Sequence, residues 1–279
     1  MLIRCWGARG SIPVSGPEYL RYGGDTTCVE IRTANDEVII VDAGSGIRRL
    51  GNRLLEEGRR EYHLLFTHAH WDHILGFPLF RPLYHDATRI RLHGDPSRQG
   101  DIRQLLASTM AAPFFPVPFD QVRAEMAHRE FGAEPFAVDS VTVRTIAMNH
   151  PNGGLGYRFE EHGRAFVFLT DNELGHRHPG GRSPEEYAAF AEGAELLFHD
   201  AEYLPDEYER RRSWGHSQYL DALELARKAG VATFGMIHHN QDRDDDGVDR
   251  MVAHANALLG EAGAGTACLG VTQYAEFEL

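Results

Sequence analysis

Four side chains able to bind a divalent cation fall within six residues, in His68-x-His70-x-Asp72-His73. Imidazole and carboxylate are the borderline and hard donors that suit zinc, manganese and iron. Two histidines separated by one residue on an irregular loop can aim at one ion. Asp72 and His73, further round the turn, can aim at a second. A merely polar loop is the plain alternative, but four such donors at this density argue against coincidence. One loop does not complete two coordination shells, so the remaining donors must come from elsewhere. His150, Asp171 and His238 each follow a predicted strand. Singly, each reads as a surface histidine or a helix-capping aspartate; beside the first cluster, they read as the missing ligands.

The apolar runs are the elements that must bring these donors together. Val38-Ile39-Ile40-Val41 is a buried strand, ending in the turn Asp42-Ala43-Gly44-Ser45-Gly46 and a helix through about Glu57. His63-Leu64-Leu65-Phe66 is the strand that delivers the histidine cluster. Further strands are predicted at 29–33, 90–93, 141–146, 155–159, 165–169, 195–198 and 233–237, with an edge strand at 273–277. Helices are predicted from Pro184 to Glu192, from Ser217 to Ala229 with Gly230 as its cap, and from Val248 to Leu259. Strands in both halves with helices between them give a layered α/β protein. Its donors stand at the exits of separate strands. Gly and Pro are scattered and no repeat or linker shows, so residues 1–279 are expected to form a single domain.

The formal net charge of −13 argues against a protein that grips long nucleic acid, because an acidic surface repels phosphate backbones. It leaves room for a small anionic substrate, since bound cations reverse the local potential. Cys5, Cys28 and Cys268 are far apart without CxxC spacing, and read as reduced, buried residues. The start Met1–Gly7 lacks the pattern of a signal peptide, and no apolar run is long enough to span a bilayer, so a cytoplasmic protein without a membrane partner is expected. Asp242-x-Asp244-x-Asp246-Gly247 matches half of a calcium loop, but Ala253 stands where the twelfth-position Glu is needed, so no calcium site is expected. His63, His85, His93, His128, His162, His176, His178 and His254 lack a ligand pattern and read as surface or strand residues, with His176 or His178 placed near the site mouth as a further option.

The ordered set His68-x-His70-x-Asp72-His73, His150, Asp171 and His238 resembles the ligand set of the metallo-β-lactamase superfamily. The resemblance spans most of the chain. It implies a four-layered αβ/βα sandwich with the site at one edge. It also implies two divalent metal ions, zinc foremost and manganese or iron as alternatives. His68, His70 and His150 would hold one, Asp72, His73 and His238 the other, and Asp171 would bridge them. His239 competes with His238 for the last place. Asp42 resembles an early aspartate that supports the histidine loop by hydrogen bonding; capping the following helix is a compatible role.

Two further segments resemble ribonuclease Z and the related small phosphodiesterases: Phe198-His199-Asp200-Ala201-Glu202-Tyr203, and Trp214-Gly215-His216-Ser217. In that branch the residue matching His216 faces the scissile phosphate, held by a carboxylate, here Asp200. Many relatives carry Glu at that place. The plain alternative for His216 is a helix N-terminal residue beside a Ser217 cap. The opening 7–13 and 21–27 resembles the same branch, except that Asp25 stands where Asn is expected; tight turns near the site are the simpler reading of its glycines.

These readings imply hydrolysis of a phosphodiester by a metal-bridging hydroxide, with Asp72 orienting the nucleophile and His216, steadied by Asp200, aiding the leaving group. Only about twenty residues separate His150 from Asp171. That leaves no room there for a tRNA-gripping arm, so a small phosphodiester such as a cyclic nucleotide or ribosyl cyclic phosphate is preferred. The alternatives are another hydrolase of the superfamily, acting on a lactone, thioester or β-lactam, or a non-enzymatic metal or nucleotide sensor. The segment 82–131, with the apolar run 110–119, is a candidate lid or homodimer contact.

Overall fold

A computed structural model describes residues 1–95, 100–132 and 134–279. Two seven-stranded sheets form its centre among the described residues. The first has the order β14-β1-β2-β3-β4-β5-β6 and the second β13-β12-β11-β10-β9-β8-β7. In the first, β1 (Leu2–Gly7), β2 (Cys28–Arg32) and β3 (Val38–Val41) are antiparallel neighbours. β3, β4 (Glu61–Leu65), β5 (Arg89–Gly94) and β6 (Glu125–Glu130) run parallel. In the second, β7 (Phe136–Val138), β8 (Val141–Ala147), β9 (Leu155–Glu161) and β10 (Arg164–Leu169) form an antiparallel meander. β10, β11 (Leu196–Asp200), β12 (Thr233–Ile237) and β13 (Ala267–Gly270) are parallel. β14 (Glu276–Glu278) pairs with β1 at an edge.

The continuous apolar runs have a direct cause. Side chains alternate across a strand, and both faces of these strands are covered. Ile39 and Val41 meet Phe166, Phe168 and Phe198 between the sheets. Val38 and Ile40 face outward onto Ile47, Leu50 and Leu54 of the helix Ile47–Glu56. Val167 and Leu169 likewise face the helices Pro184–Ala191, Tyr219–Ala229 and Asp245–Glu261. Helix, sheet, sheet and helix are therefore stacked in four layers, the expected αβ/βα sandwich.

Gly230 ends its helix in the left-handed conformation, as the sequence suggested. That helix starts later than expected, however. Its N-cap is Gln218, and Ser217 instead donates from its hydroxyl to the Asn172 carbonyl and accepts from Leu174 N–H. Segment 82–131 is not a detached lid. It supplies β5, the helix Ile102–Thr109 and β6, and Met110 and Phe119 lie in the core. His63 in β4 and His93 in β5 are strand residues, one of the two expected placements; they are buried and stacked, 2.8 Å apart between Nδ1 and Nε2. Burial lowers their pKa values to about 4 and about 3. Asp244 caps the helix Asp245–Glu261, and Asp245 accepts from the Arg21 and Tyr22 amides, so the acidic run 242–246 serves a helix start. Among the described residues, no helix is long and apolar enough to cross a membrane.

Candidate metal centre

The parallel strands β3, β4, β10, β11 and β12 end on one edge of the sandwich, the place where open α/β sheets bind ligands. β8, antiparallel to β9 and so aligned with β10, ends there too. Asp42, Asp171 and His238 leave their strands with φ of 62°, 53° and 61°. This left-handed conformation is unfavourable for a residue with a Cβ, and three instances at one edge mark a place where side-chain direction outweighs backbone comfort.

The structure brings all seven predicted donors together. His68, His70, His150 and Asp171 form one group, and Asp72, His73, His238 and Asp171 a second. Asp171 stands between them. Its Oδ2 lies 3.5 Å from His68 Nε2 and 3.9 Å from His150 Nε2. Its Oδ1 lies 3.2 Å from His73 Nε2 and 3.4 Å from His238 Nε2. His238 Nε2 is also 3.1 Å from Asp72 Oδ2, and His70 Nδ1 is 3.0 Å from His150 Nε2. His239 points away, its Nε2 donating to the Val271 carbonyl.

The outer nitrogens of these rings are spoken for, which turns the inner ones toward the centre. His73 Nδ1 donates to Asp42 Oδ2 at 2.8 Å, and His150 Nδ1 to the Gly215 carbonyl at 2.8 Å. His238 Nδ1 donates to Glu202 Oε2 at 3.0 Å. Asp42 also accepts from Thr67 N–H and Oγ1, and does not cap the helix after Gly46. His68 Nε2 and His73 Nε2 are buried and make no well-formed hydrogen bond; the Asp171 and Asp72 carboxylate oxygens stand near them, at 3.2–3.5 Å. Buried imidazole nitrogens and carboxylate oxygens converging on one point are the donor arrangement of a cation site. The donor set therefore fits divalent metal.

Electrostatics agree. Burial is the largest influence on Asp171 and acts to raise its pKa, but His238, His73 and His68 outweigh it and hold the carboxyl well below its usual range. Burial, with His73, drives His68 well down, and burial takes His150 to about 3, so both are neutral donors. Burial would also lower His73 and His238, yet Asp171 with Asp72 and other carboxylates raises both well above the ordinary histidine value.

His216 sits beside this centre. Its Nδ1 lies 3.0 Å from Asp200 Oδ2, the expected partner, and 3.4 Å from Glu202 Oε2. Its ring stacks on His238 at 4.6 Å and meets His150 edge-on at 5.2 Å. Burial would lower its pKa, but Glu202 and Asp200 raise it to about 9. Asp25 ties loops together, accepting from Ser45 Oγ and Gln273 Nε2. In the opening turn, Gly10 must be glycine, because a Cβ there would lie 2.3 Å from His238 Nδ1.

Two carboxylates escaped the sequence reading. Glu202 supports His238 and His216 together; its place two residues after Asp200 was a signal, because residues at the exit of one strand share an edge. Glu173 had no comparable signal. Fully buried, it accepts from Tyr208 Oη, Ser213 N–H, Gly215 N–H and His178 Nε2 at 2.7–2.8 Å. It thus clamps the loop that presents the Gly215 carbonyl to His150, and it draws His178 into the structure rather than leaving it on the surface. Gly215 has φ of 99°, and a Cβ on it would lie 2.1 Å from His150 Nδ1. Glu173→Gln turns one acceptor into a donor facing an N–H. Thermal melting should show a loss of about 1–3 kcal/mol, the cost of a buried polar mismatch; an unchanged melting temperature would remove the clamp from the argument.

Residues 37–239 match the family model described as a beta-lactamase superfamily domain, and the chain belongs to the metallo-β-lactamase superfamily. It is 27% identical over 274 residues to the ribonuclease Z of Haloarcula marismortui, covering 81% of this chain and 82% of that one. In fold it is similar to the metallo-β-lactamase fold protein YhfI from Bacillus subtilis, with a TM-score of 0.71, 16% identity and coverage of 100% and 99%. A diphosphatase from the PhnP family superimposes with a TM-score of 0.69 at 18% identity, over 100% of this chain and 97% of that one. The chain is a metal-dependent hydrolase on the ribonuclease Z side of its superfamily.

Proposed function

We propose that this metal-dependent phosphoesterase acts on a small phosphodiester, such as a cyclic nucleotide or a ribosyl cyclic phosphate. His68, His70 and His150 hold one divalent cation, Asp72, His73 and His238 a second, and Asp171 reaches both. Zinc suits this donor set best, with manganese or iron as the alternatives. Cations bound there lower the pKa of water and neutralise phosphate charge. Asp72 orients the attacking water. His216, kept protonated by Asp200 and Glu202, donates its proton to the departing oxygen.

The observation that carries this reading is the placement of His216. A carboxylate-held imidazole with a pKa of about 9, stacked on His238, is a proton donor beside a cation site at neutral pH. Relatives named as a ribonuclease and a diphosphatase favour phosphorus chemistry over a lactone, thioester or β-lactam. Support for a small substrate comes from the chain between His150 and Asp171, which is the β9–β10 hairpin, and from the net charge of −13. The three buried free thiols fit the reducing interior of a cell. The test is a turnover screen over cyclic nucleotides and bis(p-nitrophenyl) phosphate, with protein reconstituted separately with zinc, manganese and iron. Inertness toward all of them would defeat the proposal.

The support under His73 gives a further prediction. Asn at position 42 retains one acceptor where Thr67 N–H and His73 Nδ1–H together need two. Asp42→Asn should weaken cation binding by about 10–100-fold, as loss of a ligand's hydrogen-bond partner does. Equilibrium dialysis measures this, and unchanged affinity would show that Asp42 does not hold the ring.

A further inference from the structure

We propose that the apolar cavity beside the histidine loop receives an uncharged aromatic group of the substrate, a nucleobase or an aryl substituent linked to the phosphate. The inference rests on the phosphodiesterase reading and names the part of the substrate that the cation site leaves unspecified.

The cavity measures about 550 Å³, within the range of small-molecule sites. Trp71, Ile74 and Leu79 line one side, and Leu105, Phe114 and Phe115 another. Its wall and the cation-facing loop are the same piece of chain. Ala69 and Trp71, which line the cavity, alternate with His68, His70 and Asp72, and successive Cα atoms are only about 3.8 Å apart. His70, the least buried of the seven donors with Asp171 and the others closed in, lies between this wall and Asn152, which approaches its Nε2 at 3.4 Å. Trp71, flanked by the donors His70 and Asp72 and itself exposed, is the part of this wall that we place within reach of a substituent on a phosphate at the donors.

The lining selects a chemistry. None of its side chains carries a charge, in a protein of net charge −13. A phosphate chain or a charged peptide gains nothing there. Trp71 is 77% exposed and Phe114 73% exposed, and both present ring faces that water solvates poorly. Stacking of a base on an aromatic side chain is favourable and tolerates any base, since each has a π-face. A concave space of this size, walled by the cation loop itself, suits a flat group attached to the reacting phosphate better than the broad face of a second copy of the chain.

Non-hydrolysable probes test this without turnover. Benzylphosphonate and methylphosphonate share the anionic head and differ in the ring. Calorimetric titration of zinc-loaded protein should show benzylphosphonate binding at least about tenfold more tightly, the equivalent of 1.4 kcal/mol. Trp71→Ala and Phe114→Ala should each erase most of that preference. Equal affinity of the two probes in the wild type, or a preference that survives in both variants, would overturn the inference. So would a change from dimer to monomer in sedimentation with the preference intact, which would assign the cavity to a second copy. Hydrolysis of bis(p-nitrophenyl) phosphate by the same preparations separates the two claims. Turnover without ring preference defeats the cavity alone, whereas failure of both phosphonates to bind and of the diester to react defeats the phosphodiesterase reading and the cavity with it.

Discussion

His216→Ala should retain its bound cation yet lose about 10²–10⁴ in kcat toward phosphodiesters, the contribution of a positioned general acid. The reasoning starts from charge. His216 faces two buried carboxylates, Asp200 and Glu202, and together they outweigh the burial that would otherwise discharge it. With a pKa raised to about 9, the ring carries its proton throughout the neutral range and loses it as pH rises through that value. Bound cations oppose the charged ring, so in the loaded enzyme wild-type kcat should fall on the alkaline side at a pH below that of the cation-free chain, and His216→Ala should abolish that limb. The loss should also depend on the leaving group. A ribose hydroxyl leaves poorly without a proton, whereas nitrophenolate needs little help, so cyclic nucleotides should suffer more than bis(p-nitrophenyl) phosphate. A uniform loss across leaving groups, together with a lower metal content, would mean that His216 holds structure or cation rather than a proton.

Asp171→Asn should have the second large effect, and a different signature. Each carboxylate oxygen faces its own set of imidazoles, so an amide keeps the volume but offers one acceptor and no charge. Bound cation measured by elemental analysis should fall, and kcat should drop by at least about 10³-fold, the upper end of the cost of removing one electrostatic stabiliser. Without its charge, His73 and His238 lose a carboxylate that favours their protonated forms in the cation-free chain. The cation-free variant should consequently bind fewer protons at neutral pH than the wild type, as potentiometric titration would show. Full metal content and ordinary turnover in the folded variant would remove Asp171 from the centre of the site.

The parts of this structure that the sequence revealed are those governed by burial on both faces. Val38–Val41 and Ala165–Leu169 are apolar throughout because one set of side chains meets the opposite sheet and the other meets helices. The candidate donors were legible because each stands at the exit of a readable strand, ending in apolar residues before His68 and Asp171 and alternating before His150. What escaped has equally physical causes. β6 (Glu125–Glu130) is mostly exposed, so its residues carry no apolar period to read. β1 (Leu2–Gly7) alternates buried and half-buried residues, a pattern that six residues at a chain end express weakly. The helix Pro205–Arg211 buries only Tyr208 among its seven residues. Glu173 and Glu202 act through partners 35–42 and 36–38 residues away, on Tyr208, Ser213 and Gly215 and on His238 and Asn240. Contacts of that kind depend on the meeting of separate strands. The opposite directions of His238 and His239 have the same kind of cause: a backbone turn at φ of 61° sends the first ring to Asp72 and the second to Val271.

The central claim is that two cations lie on either side of Asp171. Anomalous diffraction from crystals grown with zinc, recorded on both sides of the zinc absorption edge, tests it most directly. The expected result is two peaks about 3.5–4 Å apart, one against His68, His70 and His150 and the other against Asp72, His73 and His238. Zinc bound only at other residues, or a fully loaded crystal with no peak in contact with Asp171, would contradict it.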